Sequence, residues 1–213
     1  MVESQHMAAT MKLVDNANEQ DLLESLLDSS KPTWPIDTAK LNYLLATPFR
    51  YNPKREGSRF RGVNDPGVFY GAETVRTAGA ELGYWRWKFL QDAVDLERIE
   101  PVAHTAFKVD IATTVVDLQK VPFSKDAKLW EHPENYEPTQ QFSKIVRSAN
   151  VGGILYKSVR DPISAWCLAL LTPQGFSQNK PHIESQTWYL AVSSTEIILR
   201  GDGQSLQFST MDW

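Results

Sequence analysis

The sequence predicts an α+β fold in one domain, and three observations carry that expectation. Apolar residues recur at helical spacing through most of the chain up to about residue 94. From about residue 102 onward, β-branched and alternating runs dominate, interrupted by one further helical stretch. No repeat and no low-complexity linker divides the 213 residues, enough for one domain with a sizeable core. Helices gathered early and strands gathered late are the pattern of an α+β protein.

Residues 1–18 are polar and unpatterned, and read as a loose tail ahead of a unit spanning 19–213. Asn18 is placed to cap a helix whose Leu22, Leu23, Leu26 and Leu27 share one face. Ser29-Ser30-Lys31-Pro32 ends it. Asp37 or Thr38 caps a second, short helix with Leu41, Leu44 and Leu45 inward, and Pro48 stops that helix to start an extended piece, Phe49-Arg50-Tyr51. Gly62-Val63-Asn64-Asp65-Pro66-Gly67 has turn chemistry, and 68–71 is a short strand. Thr74 caps the longest helix, which runs to about Val94 with Ala78, Leu82, Trp85 and Phe89 as its apolar stripe. Glu81 lies beside that stripe. The stretch 102–116 is one long strand or two short ones, with Phe107, Val109 and Ile111 inward. A charged loop with a helical turn covers 122–138. Pro138 or Thr139 then opens a helix with Phe142, Ile145 and Val146 on one face, ended by Gly152-Gly153. Strands are expected at 154–158, 165–171, 188–192 and 197–200, with 206–208 as an edge strand.

Composition narrows the function. The chain is 42% apolar and 23% charged, as ordinary globular proteins are. A formal net charge of -4 speaks against a general nucleic-acid-binding surface, which is basic. The single Cys167 excludes an internal disulfide framework and fits a reducing cytosol. It sits in an apolar run and reads as a buried strand residue. That run is too short to span a bilayer, and the acidic N-terminal stretch has no signal-peptide core. The expectation is therefore a cytoplasmic protein without membrane contact. Four scattered histidines give no metal-ligand spacing, so no metal is expected.

The chemistry concentrates between residues 48 and 86. Arg50, Arg55, Arg59 and Arg61 fall within a dozen residues. Arginine clamps phosphate bidentately, so the cluster suits a diphosphate; on spacing alone a solvated basic loop is the simpler account. Glu81 is a carboxylate costly to bury unpaired. Either it holds a sugar hydroxyl and faces positive charge growing on an anomeric carbon, or it pairs structurally with an arginine. Tyr51 and Tyr70 can stack on a flat ring or pack in a core. Ser158, where a strand meets a loop just before Arg160, can hydrogen-bond a ligand, but no G-x-S-x-G elbow makes it a hydrolase nucleophile. The histidines are badly placed for a triad, with His104 on the long strand as the exception. There is no P-loop, no G-x-G-x-x-G opening a helix and no H-E-x-x-H.

The segments PFRYNP, GSRF and GVFYGAETVRTAGAEL, followed by TQQFSKIVRSANVGGILYKSVRD, resemble the RES-domain family, named for an Arg, a Glu and a Ser. The likeness extends from about Leu22 to Val192. It implies an ADP-ribosyltransferase-like split mixed β-sheet flanked by helices, with a cleft for NAD as substrate and no retained cofactor. It implies the toxin half of a bacterial type II toxin–antitoxin module, an NAD glycohydrolase or NAD phosphorylase that cleaves the nicotinamide–ribose bond and arrests growth. The alternatives are an ADP-ribosyltransferase acting on a protein and a catalytically inactive partner-binding domain. The implied partner is an Xre-like antitoxin that blocks the active site, with a homodimer inside the complex and no direct nucleic acid. The resemblance carries Arg50 and Tyr51 to the family's first Arg-Tyr, Arg59 to the second arginine, Tyr70 to the strand tyrosine and Glu81 to the glutamate. Ser158 is taken as the serine; some relatives place theirs at the start of the preceding helix, where this chain has Thr139 and Gln140. Arg61 stands where an Asn is common. Arg50 and Arg59 would hold the diphosphate, Tyr51 or Tyr70 would stack on nicotinamide, and Glu81 would grip the adjoining ribose. Trp85, Trp87 and Trp130 either serve a dimer or antitoxin face or pack in the core.

Overall fold

Alternating side chains pair into strands, and helices cover the faces those strands leave apolar. A computed structural model describes residues 1–4, 13–51, 57–163, 165–182 and 184–213. In chain order the elements are β1 (Val2–Glu3), α1 (Ala17–Ser29), α2 (Tyr43–Arg50), β2 (Phe69–Ala72), α3 (Val75–Asp92), β3 (Ile99–Phe107), β4 (Val115–Asp117), α4 (Ala127–Trp130), α5 (Glu137–Ser148), β5 (Gly153–Lys157), β6 (Trp166–Leu170), β7 (Ser185–Val192), β8 (Glu196–Gly201) and β9 (Gln204–Ser209). The first sheet has the order β1-β3-β7-β8-β9 and is antiparallel throughout. The second has the order β2-β6-β5-β4, and its β4–β5 pair is parallel, which makes it mixed. The chain is thus an α+β protein whose strands divide between two sheets.

The first sheet is closed by α3. Ala80 and Leu90 pack on Trp188, Leu190, Val192, Ile197 and Leu199. The second sheet is covered on both faces. Phe60 and Val146 of α5 meet Ile154, Tyr156, Cys167 and Ala169 on one face. Leu45 and Phe49 of α2, with Phe176, meet Phe69, Leu168 and Leu170 on the other. Among the described residues, no helix is long and apolar enough to cross a membrane.

Several expectations need correction. The loose tail over 1–18 is ordered at both of its ends. Val2 and Glu3 pair with Thr105 and His104, because β3 would otherwise present an unpaired edge. Asn16, not Asn18, caps α1: its side chain accepts the Glu19 N–H at 3.0 Å, and a Glu19 carboxylate oxygen reaches back to the Asp15 N–H at 3.0 Å. Residues 5–12 of that tail lie outside the described residues. None of the α1 leucines is buried; Leu22, Leu26 and Leu27 are exposed.

Asp37 and Thr38 belong to a single 3₁₀ turn, and α2 opens later, where Asn42 accepts the Leu44 N–H at 3.0 Å. Pro48 does not stop α2 but sits inside it. An interior proline costs about 3 kcal/mol. Burying Leu45 and Phe49 at about 1.5–3 kcal/mol each outweighs that cost. Gly67 follows from this arrangement, since a Cβ there would stand 2.3 Å from the Phe49 Cα. Arg147 of α5 locks the same corner by donating to the carbonyls of Leu171, Pro66 and Gly67 at 2.6, 3.1 and 3.1 Å.

Thr74 caps α3 as expected, accepting the Thr77 N–H at 3.1 Å. The stripe does not lie where apolar periodicity puts it. Gly79, Ala80, Gly83 and Tyr84 form the buried face, while Trp85 is 46% and Phe89 56% exposed. The cause is close approach: a Cβ on Gly79 would stand 3.1 Å from Leu199, and one on Gly83 3.0 Å from Ile197. Small residues let the helix backbone lie on β8, and this turns the larger side chains outward. On α5, Val146 is buried and Phe142 partly so, but Ile145 faces solvent.

Candidate active site

The helix that packs its glycines on the first sheet turns the next position toward the second. Glu81 follows the fully buried Ala80 on α3 and meets the loop leaving β5. One Glu81 carboxylate oxygen accepts the Ser158 hydroxyl at 2.7 Å. That hydroxyl oxygen in turn accepts the backbone N–H groups of Arg160 and Asp161, at 3.2 Å each. With two donors aimed at the oxygen, the hydroxyl proton has one place to go, and Ser158 is committed to Glu81. Ser158 is only 2% exposed. Asp161 fastens this loop to the first turn of α3, accepting from Thr77 at 2.9 Å and from Arg76 at 3.1 Å. The Cys167 thiol of β6 stands 3.9 Å from the same Glu81 oxygen. Burial, then the nearby Glu81 charge, pushes this thiol up to about 12, so it is not a nucleophile.

A second group surrounds Arg59. Its Nη1 donates to the carbonyls of Trp130 and His132, both at 2.9 Å, and its guanidinium lies 4.7 Å over the Tyr136 ring. The Nε–Nη2 edge has no partner among the described residues, which leaves a fixed, bidentate donor pair. Tyr70 on β2 turns its hydroxyl inward, where it accepts the Phe60 N–H at 3.0 Å and shares a 2.8 Å hydrogen bond with Ser58. Burial raises its pKa, and Ser58, Phe60, Arg59 and Arg61 oppose that rise. Tyr70 as a whole stays more than a third exposed.

The two groups meet at Tyr156 of β5, the cross-strand partner of Cys167. Burial holds its hydroxyl well above the usual tyrosine range; Cys167, Glu81 and Tyr70 add to the shift, and Arg59 opposes it. Glu81 is thus linked through Cys167 and Tyr156 to Phe60, the neighbour of Arg59, whose ring lies 4.8 Å from that of Tyr156. Trp85 lies one turn beyond Glu81 on α3, with its ring 6.4 Å from Tyr136, which covers Arg59.

A model of the RES-domain family matches residues 32–193. The chain belongs to the RES-domain family. No curated protein matches the sequence. The RES domain is an NAD-acting enzymatic family. The matched span holds Glu81, Ser158, Arg59, Tyr70, Tyr136 and Trp85, and excludes α1, β8 and β9.

Within this RES domain, the expected residues do not all gather in one place. Glu81 touches Ser158, and Arg59 and Tyr70 adjoin through Ser58 and Phe60. Thr139 and Gln140 support that turn from behind: Thr139 is buried with its hydroxyl on the Arg59 carbonyl, and Gln140 donates to the Ser58 carbonyl at 3.0 Å. Of the two candidates for the family serine, Ser158 touches the glutamate and Thr139 does not. Arg50 is engaged elsewhere. Its Nε donates to the Pro32 carbonyl at 2.7 Å, its Nη1 lies 3.5 Å from Asp28, and its guanidinium covers Trp34 at 4.3 Å. No contact joins it to Arg59, Tyr70, Glu81 or Ser158 among the described residues. Tyr51 is exposed, and its carbonyl accepts from Arg61, which bridges it toward Tyr70. Arg55 lies outside the described residues.

Beside Ser158 a hollow of about 300 Å³ is lined by Lys157, Arg160, Asp161 and Asp212 among others, and Glu81 does not line it. His104 lies in the first sheet, buried, with its Nδ1 on the Val102 carbonyl at 2.9 Å, and takes no part in the site. Among the described residues, no group of three His, Cys, Asp or Glu side chains could hold a metal ion. Trp130 packs on the core and lends Arg59 its carbonyl, and Trp87 donates to the Ser194 carbonyl at 3.0 Å. Sequence reasoning missed the Asp161–Thr77 brace and Tyr136. The brace joins side chains 84 residues apart, and nothing local marks it.

Proposed function

We propose that this RES domain cleaves the nicotinamide–ribose bond of NAD. The observation that carries the reading is a carboxylate oriented by a committed hydroxyl, Glu81 on Ser158, linked through Cys167, Tyr156 and Phe60 to an arginine whose bidentate edge has no partner among the described residues. Arg59 offers that edge to a diphosphate oxygen pair. Glu81 faces the adjoining ribose and stabilises the positive charge that grows on its anomeric carbon as the bond to nicotinamide breaks. The bonding pair leaves with the pyridine nitrogen. The cationic ring thereby departs as neutral nicotinamide and requires no general acid. Water or phosphate then adds to the anomeric carbon and loses a proton. Tyr70, which hydrogen-bonds Ser58 beside Arg59 and stays partly exposed, is assigned to the same space. In a bacterial cell this activity drains NAD and arrests growth, so a toxin role follows, with an Xre-like antitoxin covering this site as the neutralising partner.

The test is to incubate the pure chain with NAD and follow free nicotinamide by chromatography, with and without phosphate. Release without added protein is expected, and Glu81→Gln should lower it by at least about a hundredfold while leaving the thermal unfolding curve in place. Label from NAD fixed on a protein would favour ADP-ribosyl transfer instead. No release under any condition overturns the reading.

A further inference from the structure

The geometry points to Trp85, cornered by Tyr136, as the subsite for the departing heteroaromatic ring, an inference that rests on the NAD-cleaving reading above. Trp85 stands four residues after Glu81 on α3, which places it on the same face about 6 Å along the helix axis. That is one sugar's width. A base attached to the ribose at Glu81 reaches this ring, whereas the other base of a dinucleotide lies beyond two phosphates.

The ring is braced rather than loose. Tyr84, itself buried, meets Trp85 edge-on at 5.4 Å and 74°. Tyr136 meets it at 6.4 Å and 59°, an open corner instead of a closed stack. Yet Trp85 stays 46% exposed, so it keeps apolar surface uncovered one helical turn from a carboxylate. An indole face attracts a cationic ring more strongly than a neutral one. The subsite therefore suits a pyridinium attached to a ribose. The same preference weakens the grip on the ring once it is neutral nicotinamide.

The experiment uses the full chain and three probes: NAD turnover, inhibition by free nicotinamide, and calorimetric binding of ADP-ribose, which lacks the departing ring. Trp85→Ala should raise KM for NAD and weaken nicotinamide inhibition, each by roughly tenfold, while ADP-ribose binds as before. Trp85→Phe should lose only a few-fold. Wild-type turnover with unchanged nicotinamide inhibition in Trp85→Ala overturns the subsite and leaves the reading standing. A parallel loss of ADP-ribose affinity makes Trp85 structural and also overturns it. A wild-type chain that releases no nicotinamide and binds no ADP-ribose sinks both.

Discussion

Ser158 donates its hydroxyl proton to Glu81 across 2.7 Å while two backbone N–H groups, from Arg160 and Asp161, hold the oxygen in place. In the proposed reaction this makes Ser158 a positioning residue for a carboxylate, not a nucleophile. Ser158→Ala leaves two nearly buried N–H groups without their acceptor, which costs about 1–3 kcal/mol of stability. It also frees Glu81 to turn. The expected result is a kcat for nicotinamide release lowered by about ten- to a hundredfold with KM within a few-fold, and partial rescue by Ser158→Thr. Equal kcat in wild type and Ser158→Ala would show that the hydroxyl does nothing for Glu81.

Arg59 and Arg50 are both nearly buried arginines, yet they predict different losses. Among the described residues Arg59 keeps an unpartnered Nε–Nη2 edge beside the site, whereas Arg50 spends its Nε on Pro32 and its face on Trp34. Removing a charge-assisted contact to a ligand costs about 1.5–3 kcal/mol, so Arg59→Ala should weaken ADP-ribose binding by at least tenfold. Arg50→Ala should mainly lower the urea midpoint, with ADP-ribose affinity changed less than threefold. Comparable affinity losses in the two variants, read by calorimetry, would put Arg50 back among the diphosphate ligands.

The features legible in the sequence were those set by neighbouring residues. Thr74 is three residues before the N–H it accepts, and the strands alternate or run apolar as strands do. The pairing of Glu81 with Ser158 was approached only through family resemblance, because the two are 77 positions apart. What misled was size. Apolar periodicity put Trp85 and Phe89 on the inner face of α3, but Gly79 and Gly83 bring the backbone so near β8 that no bulky side chain fits between them. Arg50 misled for a different reason: a cluster in sequence fanned apart once Trp34 and Pro32 supplied nearer partners.

The same glycines give a test of packing. Gly→Ala inside a helix gains about 1 kcal/mol in propensity, and overpacking costs about 1–3 kcal/mol. At Gly79 the new Cβ would stand 3.1 Å from a terminal methyl of Leu199, which can rotate away. At Gly83 it would stand 3.0 Å from the γ-methyl of Ile197, stiff at χ1, with Trp213 at 3.5 Å behind. Gly79→Ala should therefore leave the urea midpoint unchanged or raise it, and Gly83→Ala should lower stability, by up to about 2 kcal/mol. The reverse order would mean that α3 does not lie on β8 as described.

The thiol beneath Glu81 ties stability to alkaline pH. Cys167 is 1% exposed, and burial followed by the Glu81 charge raises it from 9.0 to about 12. A group raised in the folded state stabilises fully below its unfolded value, and this contribution disappears as pH climbs through its folded value. Between pH 9 and 12 the unfolded thiol loses its proton and the folded one keeps it, so stability falls as pH rises, at up to about 1.4 kcal/mol per pH unit. Tyr156, also raised by burial, adds in the same direction at higher pH. Cys167→Ala removes the thiol and most of the slope that begins near pH 9. At pH 8 this variant should be less stable than wild type, because a buried sulfur is lost. By pH 10.5, guanidinium unfolding curves of the two proteins should converge. Curves that stay parallel over that range would mean that the thiol titrates alike in the folded and unfolded chains, and that Cys167 is not sealed beneath the carboxylate.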